Sequence, residues 1–185
     1  MDKNTSGWRT LSSRYVIKSD FLSLRTDRRQ APGMGSHDFF VLEYPDWVNV
    51  VAVTSGGKVL LIRQFRHGRE EETVEIPGGM VDPGESPATA ARRELLEETG
   101  YEAGTLELLR KVSVNPAIQT NFCHLFLATG CKRTQNQQLD GTEVIEVEET
   151  EPCRVMSMLE DGTIHHSLNC LALELSRPAL SGAKG

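Results

Sequence analysis

The sequence predicts an α/β protein that forms an α/β/α sandwich around a mixed sheet and carries an antiparallel β segment at its N-terminus. Strand-like segments lie on both sides of one long amphipathic helix, further helical segments lie near the C-terminus, and three short strand patterns separated by turn residues come first. With 185 residues, of which 38% are hydrophobic, the chain is long enough for one domain with a sizeable core.

Eight segments have the composition of β-strands, because they alternate apolar and polar residues or form short apolar runs between turn signals. The loop 30–36, with one proline and two glycines, suits a hairpin connection, and Gly56-Gly57 suits a second one. The predicted strands are residues 14–18, 21–26, 38–43, 47–54, 58–65, 106–114, 123–129 and 144–147.

The long helix has clear signals at both ends. Ser86 is a good N-cap residue, Pro87 fits the first helical position, and Gly100 suits a left-handed turn that ends the helix. An apolar stripe for packing against a sheet is formed by Ala88, Ala91 and Leu95. These signals predict a helix that packs one face on the sheet.

Two shorter helices are predicted near the C-terminus. Residues 154–160 are followed by Gly162, which stops the first, and residues 167–175 form a second that ends before Pro178. The small and polar residues 181–185 predict a disordered tail.

Three carboxylates share one face of the long helix. Glu94, Glu97 and Glu98 are spaced i, i+3 and i+4, so their side chains leave the helix close together and repel one another. A hard cation such as Mg²⁺ or Mn²⁺ would neutralise them, which favours a metal site. The alternative is a solvated acidic face, since Arg93 and Glu97 have the spacing of an ordinary surface ion pair.

Whole-chain composition excludes several function classes. The net charge of −6 argues against non-specific nucleic-acid binding, and no apolar run approaches the length of a membrane span. The polar first ten residues do not resemble a signal peptide. Four scattered cysteines without a close-spaced metal pattern favour reduced thiols. We therefore expect a cytoplasmic protein with no nucleic-acid or membrane partner.

The loop and the long helix together match a family pattern. Gly79, Glu85 at a spacing of six, and the run 93–100 resemble the signature of the Nudix hydrolases at all seven of its fixed positions. Tyr101 departs from the pattern, where an aliphatic residue is more usual. Because the glycines, Glu85 and Arg93 fall in register with the carboxylates, the metal site is favoured over the solvated face.

The resemblance implies the α/β/α fold and a division of the chain. It places a Nudix hydrolase domain at residues 45–180 and leaves residues 1–44 as a β appendage, which is too small to bury a core alone. In the ADP-ribose pyrophosphatase branch, such an appendage packs across, or swaps into, a partner subunit. The resemblance therefore implies a homodimer.

Two features are similar to the ADP-ribose and nucleoside diphosphate sugar hydrolases within this family. The segment 63–67, RQFRH, precedes the signature, and residues 75–79, EIPGG, lead into it. Pro116 follows Gly100 by sixteen residues, near the position of a marker proline of that branch. The implied reaction is hydrolysis of a nucleoside diphosphate sugar, such as ADP-ribose, to a nucleoside monophosphate and a sugar phosphate.

The resemblance also assigns the metal ligands. Glu94, Glu97 and Glu98 would hold Mg²⁺, with Mn²⁺ as the alternative, and the main-chain carbonyl of Gly78 would complete the site. Glu85 would hold the signature acids in position or bind an additional metal through water. The metal would neutralise phosphate charge and lower the pKa of a bound water.

The general base has two candidates. Glu143 lies on a loop whose counterpart in relatives carries the base and sometimes touches metal, although an ordinary exposed acid would fit that loop equally well. Glu97 is the competing base. Arg93 would pair with the signature acids and hold them in position.

Substrate contacts are expected from four residues. Arg66 would clamp a phosphate bidentately, although a solvated arginine at a strand end is the alternative and the resemblance is what favours the binding role. Arg63 and Pro116 are the further substrate-binding candidates. Trp47 would stack on a base or ribose, although a tryptophan at the start of a strand more often packs in a core. Two other functions stay open: a Nudix hydrolase of an oxidised nucleoside triphosphate or of NADH, and a nucleotide sensor that does not cleave its ligand.

Overall fold

The computed structural model describes residues 7–139, 141 and 144–182. The chain divides into two compact units, of which the first comprises Met1–Pro45 and Ser113–Phe122 and the second Asp46–Val112 and Cys123–Gly185. The inclusion of residues 113–122 in the first unit was not predicted, because these residues are 68 or more positions away from Pro45 in the sequence. The mixed α/β architecture confirms the predicted fold class.

The first unit is built on a three-stranded antiparallel sheet. The strands β1 (Arg9–Lys18), β2 (Ser23–Gln30) and β3 (Ser36–Glu43) follow one another in the order β1-β2-β3. The turn between β2 and β3 contains Gly33 with a φ of 75°, a conformation that glycine adopts without strain. The predicted N-terminal antiparallel segment is confirmed; β1 and β3 begin before their predicted starts, and β2 is shifted, beginning two residues later and ending four residues later than predicted.

The second unit contains a mixed sheet in which β4 lies at the centre. The sheet order is β11-β5-β4-β10-β8, with β6 paired to β5, β7 to β4 and β9 to β10. β4 runs parallel to β10 and antiparallel to β5. The strands are β4 (Trp47–Thr54), β5 (Val59–Arg66), β6 (Glu71–Glu75), β7 (Gly78–Met80), β8 (Tyr101–Glu102), β9 (Thr105–Ser113), β10 (Phe122–Arg133) and β11 (Ile145–Thr150).

Three helices complete the second unit. They are α1 (Pro87–Thr99), α2 (Pro152–Glu160) and α3 (Ser167–Ser181). Both α1 and α3 pack against β4, and the buried apolar face of α1 joins the core through Ala91 and Leu95. The prediction of a packed stripe is confirmed for Ala91 and Leu95 but wrong for Ala88, which is exposed in the first turn, while Ala90 is buried instead. None of the helices in the described residues is long and apolar enough to cross a membrane.

The prediction that the last helix ends before Pro178 is wrong. α3 continues through Pro178 to Ser181, and the Gly182 N–H donates to the Pro178 carbonyl at 3.2 Å. Proline cannot donate a backbone hydrogen bond, but burial of Leu180 keeps the final turn in place. Ser181 is thus helical rather than part of a tail, and residues 183–185 lie outside the described part.

Candidate active site

The structure positions α1 through both of its predicted caps. The Thr89 N–H donates to the Ser86 hydroxyl at 3.1 Å, and the Gly100 N–H donates to the Leu96 carbonyl at 2.8 Å. Gly100 has a φ of 78°, in the left-handed region. The caps therefore fix the first and last residues of α1.

The acidic face of α1 lines a pocket of about 420 Å³. The opposing wall comes from β5, through Gln64 and Arg66, which alternate onto the same side of the strand. The loop before α1 and a residue beyond β10 complete the lining. The remaining lining residues are Gly78, Gly79, Met80, Asp82, Arg93, Glu94, Glu97, Glu98 and Gln138.

Two of the three carboxylates are largely buried, whereas the Glu97 side chain is 39% exposed. Glu98 is 4% exposed, and the Glu94 side chain is 15% exposed. Charged side chains buried to this extent need hydrogen-bond partners. Glu98 Oε2 accepts a hydrogen bond of 2.8 Å from the Gly78 N–H. Glu94 and Glu98 therefore differ from the residues of a solvated acidic face, whereas Glu97 forms the i, i+4 ion pair with Arg93 that such a face would also contain.

Arg93 holds the acidic cluster together. Its guanidinium donates to Glu85 at 3.0 and 3.1 Å, to Glu94 at 2.9 Å and to Glu97 at 3.0 Å, and it also donates to the Met80 carbonyl at 2.9 Å. The hydrogen bonds to Glu85 are the main reason why the pKa of Arg93 lies above its ordinary value. Arg93 likewise lowers the pKa of Glu85.

Two glycines allow the loop to approach the cluster. A Cβ atom on Gly79 would overlap the Glu94 carboxylate, with Oε2 only 2.6 Å away. A Cβ atom on Gly78 would overlap the Val48 carbonyl oxygen, because β7 pairs closely with β4 at this point. The pocket thus needs glycine at both positions, for two different reasons.

The donor chemistry of the pocket suits a hard divalent cation. Glu94, Glu97 and Glu98 offer carboxylate oxygens, which Mg²⁺ and Mn²⁺ prefer. Within the described residues, no group of three or more His, Cys, Asp or Glu side chains is already arranged so that it could hold a metal ion. Arg93 provides the positive charge between Glu94 and Glu97 in this structure. A bound cation would share that neutralisation with Arg93.

An ion pair between exposed Arg66 and buried Glu75 holds Arg66 at the edge of the pocket. Arg66 Nε and Nη2 donate to the two Glu75 oxygens at 2.7 and 2.8 Å, and the Thr73 hydroxyl donates to Glu75 at 2.7 Å. Glu75 is only 2% exposed. Burial raises the pKa of the Glu75 carboxyl, but the hydrogen bonds and charge of Arg66 outweigh it, so the pKa lies below its ordinary value.

Replacing Glu75 with glutamine is expected to lower the free energy of unfolding at pH 7 by about 1 kcal/mol, since Arg66 loses its counter-charge but remains 44% exposed to solvent. Because the folded-state pKa of Glu75 is depressed, its contribution is present above the ordinary pKa of 4.5 and is lost as the pH falls through the folded value. Urea unfolding should therefore show a smaller difference between wild type and variant at pH 3.5. Glu72→Gln, at an exposed position of the same strand, is the matched control.

The other predicted site residues lie in different places. Trp47 begins β4 opposite Met80 and is half-buried, and Arg63 is exposed on β5 with Glu148 at 3.9 Å. Pro116 belongs to the first unit. None of these three lines the pocket described above. Glu143 lies outside the described residues, so its role stays a prediction.

Sequence reasoning missed the strand β6 and the roles of its side chains. Thr73 and Glu75 lie on a strand that the charged sequence EETVE did not suggest, because it has few apolar residues. The alternation of Thr73 with Glu75, and of Gln64 with Arg66, was the available signal for a shared face. This alternation shows that the four side chains share one face of the sheet only when the pairing of β6 with β5 is known.

Comparison with known proteins identifies the family of this chain. A model of the NUDIX domain matches residues 44–167. The chain is 28% identical to the methanol dehydrogenase activator of Bacillus methanolicus and 28% identical to the ADP-ribose pyrophosphatase of Bacillus subtilis, each over 90% of both chains. A crystal structure of an ADP compounds hydrolase superposes with a TM-score of 0.83 at 25% identity, covering 96% of both chains. The chain belongs to the Nudix family.

Proposed function

We propose that this Nudix protein hydrolyses the pyrophosphate bond of ADP-ribose or a related nucleoside diphosphate sugar, releasing a nucleoside monophosphate and a sugar phosphate. The observation that carries the proposal is the pocket lined both by the carboxylates of α1 and by Arg66, which Glu75 holds in place. A relative that shares 90% of its length with this chain is named for ADP-ribose hydrolysis. The same pocket suits the metal and the phosphates that this reaction requires.

Glu94, Glu97 and Glu98, together with the Gly78 carbonyl, would hold Mg²⁺, or Mn²⁺ in its place. When bound, the cation supplies charge neutralisation at the diphosphate and lowers the pKa of a water molecule. Arg93 keeps Glu94 and Glu97 in position, and Glu85 anchors Arg93 in turn.

Arg66 supplies the positive charge on the opposite wall. Its guanidinium would contact phosphate oxygens while Glu75 holds it from behind. Water attacks one phosphorus, the bond from that phosphorus to the bridging oxygen breaks, and the bridging oxygen leaves with the other phosphate. The proton of the attacking water goes to the general base. Charge neutralisation and positioning are the main needs of this reaction.

We propose Glu143 as the general base and Glu97 as a metal ligand. Glu143→Gln should then lower kcat by roughly 10²–10⁴-fold at saturating Mg²⁺, the range for loss of a general base. Glu97→Gln should instead raise the Mg²⁺ concentration needed for half-maximal rate. Glu146→Gln, at an exposed position of the neighbouring strand, is the control. An unchanged kcat in Glu143→Gln would transfer the role of base to Glu97.

Product analysis with Mg²⁺ on five compounds tests the substrate class. The panel is ADP-ribose, ADP-glucose, GDP-mannose, NADH and 8-oxo-dGTP. The proposal expects a nucleoside monophosphate and a sugar phosphate from at least one of the first three. Turnover confined to NADH or 8-oxo-dGTP would reject the nucleoside diphosphate sugar class in favour of those substrates. Mg²⁺-dependent binding without cleavage would favour a nucleotide sensor.

We propose that the first unit forms a homodimer. Every residue of β1 is exposed, including the apolar side chains of Tyr15, Val16 and Ile17. An exposed apolar strand surface of this kind favours association. Light scattering should give twice the chain mass of 20.5 kDa. Ile17→Asp should shift the protein towards monomer, and a wild-type protein that stays monomeric at millimolar concentration would contradict the proposal.

We also propose a cytoplasmic location. The four cysteines are unpaired, and burial raises the pKa of Cys123 to about 12 and that of Cys131 to about 11, so both remain as thiols. Unpaired buried thiols suit a reducing compartment. Cell fractionation tests this directly, and recovery of the protein from the culture medium would contradict it.

A further inference from the structure

A second pocket adjoins the candidate active site. It has a volume of about 550 Å³ and lies in the second unit, between the turn that joins β5 to β6 and the start of α3. This volume falls within the roughly 300–1,000 Å³ of small-molecule sites. Arg66 lines both this pocket and the pocket of the acidic cluster. A ligand that contacts Arg66 on one side is therefore next to the second pocket.

The shared wall between the two pockets is held in place. Arg66 is bonded bidentately to Glu75, and Glu75 is itself bonded to Thr73. The backbone after Glu75 is held as well, since the Ile76 N–H donates to the Asn169 side chain of α3 at 2.8 Å. Moving Arg66 would leave a buried carboxylate without its counter-charge, which is costly.

The charges around the second pocket are balanced, which argues against a site for another phosphate. Apart from Arg66, which the proposed function assigns to the diphosphate, the guanidinium among the described lining residues is that of Arg69, which donates to Glu71 at 2.9 Å. His165 Nε2 also lies 3.5 Å from Glu71. A phosphate site would need an excess of positive charge, which these pairs do not provide.

The polar groups of the second pocket suit a neutral ligand rich in hydroxyl groups. Imidazole and hydroxyl groups of His165, His166 and Ser167 line it, as does the Thr73 hydroxyl, which donates to Glu75, and His166 Nδ1 is bonded to the Asn169 side chain. Its described lining residues include no Trp, Tyr or Phe on which a nucleobase would stack. These features favour a sugar ring over a base.

We infer that the second pocket is the subsite for the sugar of a nucleoside diphosphate sugar, with the diphosphate in the acidic pocket and Arg66 between them. This inference rests on the proposed function. It assigns the choice among sugars to the turn between β5 and β6 and to the start of α3.

Filling the pocket tests the inference. A Cβ atom on Gly68, which lines the pocket, would meet no atom within 4 Å, so Gly68→Phe should fold and occupy the space. His165→Ala removes a polar group from an exposed position instead. Gly56→Phe, in the exposed turn between β4 and β5, is the control. Calorimetry in Mg²⁺ would measure the Kd of ribose 5-phosphate and of AMP for each variant.

The expected result is an approximately tenfold or greater rise in the Kd of ribose 5-phosphate for Gly68→Phe, and a smaller rise for His165→Ala, with the Kd of AMP unchanged. Equal effects on both ligands, an effect on AMP alone, or no effect would overturn the inference. The inference would also be overturned if the wild-type protein did not bind ribose 5-phosphate at millimolar concentration. Failure of the proposed function would show separately, as absence of turnover of every nucleoside diphosphate sugar.

Discussion

Gly79→Ala is expected to lower kcat by about 10²-fold or more while changing the free energy of unfolding by less than about 1 kcal/mol. The added Cβ would overlap the carboxylate of Glu94, which is the tip of a flexible side chain. The fold accommodates the methyl group by moving this tip. The movement takes Glu94 out of the acidic cluster, so activity is lost and the structure is kept. Steady-state kinetics and thermal unfolding of the same preparation measure the two effects.

The neighbouring glycine provides a contrasting variant. In Gly78→Ala the new Cβ would meet the Val48 carbonyl oxygen and would lie 2.6 Å from Asn49 Nδ2. Because the carbonyl belongs to the central strand β4, it cannot move aside cheaply, and we expect a loss of about 1–3 kcal/mol or more in unfolding free energy. Gly56→Ala, whose Cβ would make ordinary contacts, should be near neutral in both assays. Normal kcat in Gly79→Ala would show that Glu94 need not occupy its observed position.

Arg93→Met is expected to reduce kcat/KM by about 10–100-fold, the usual cost of losing a residue that orients metal ligands. The substitution keeps much of the side-chain bulk but removes the hydrogen bonds to Glu85, Glu94 and Glu97. Three carboxylates would then repel one another without a shared counter-charge. We expect the free energy of unfolding to fall by about 2 kcal/mol, less than for a fully buried pair, because Arg93 is 27% exposed.

Arg93→Lys separates the contribution of the positive charge from that of the hydrogen-bond geometry, and a variant of the neighbouring residue serves as the control. Arg93→Lys keeps the positive charge but cannot reach all of the partners, so it should recover stability better than activity. Arg92→Met alters the exposed neighbour, which donates to the Ala103 carbonyl, and should leave kcat/KM unchanged. If Arg93→Met retains full activity over a range of Mg²⁺ concentrations, Arg93 has no positioning role.

The sequence predicted the parts of the fold and site that depend on local order. The caps of α1 are determined by Ser86 and Gly100, and the shared face of the carboxylates follows from the helical repeat. The central strand β4 was found within its exact bounds because a run of apolar residues lies between clear turn signals. In each case the interaction joins residues a few positions apart, so spacing alone specifies it.

The sequence-based predictions were wrong where the local preference of a residue and its burial in the fold favoured different structures. Pro178 is a strong signal for the end of a helix, but α3 continues because Leu180 packs into the interior. The charged strand β6 was missed because its stability comes from pairing with β5 rather than from an apolar pattern. Propensity is a weak preference, and a few buried contacts outweigh it.

The sequence by itself determined the acidic helix, its caps and the glycine loop in front of it, because each rests on residues close together in the chain. Only the tertiary structure decided what faces that helix. Arg66 is fixed by Glu75 through the pairing of two strands, and Asn169 reaches Ile76 across 93 positions of sequence. The second pocket joins residues from β5, β6 and α3 in the same way. Such contacts depend on how helices and strands pack against one another. Sequence periodicity indicates which residues share a face of one helix or strand, but it does not indicate which other element that face will contact.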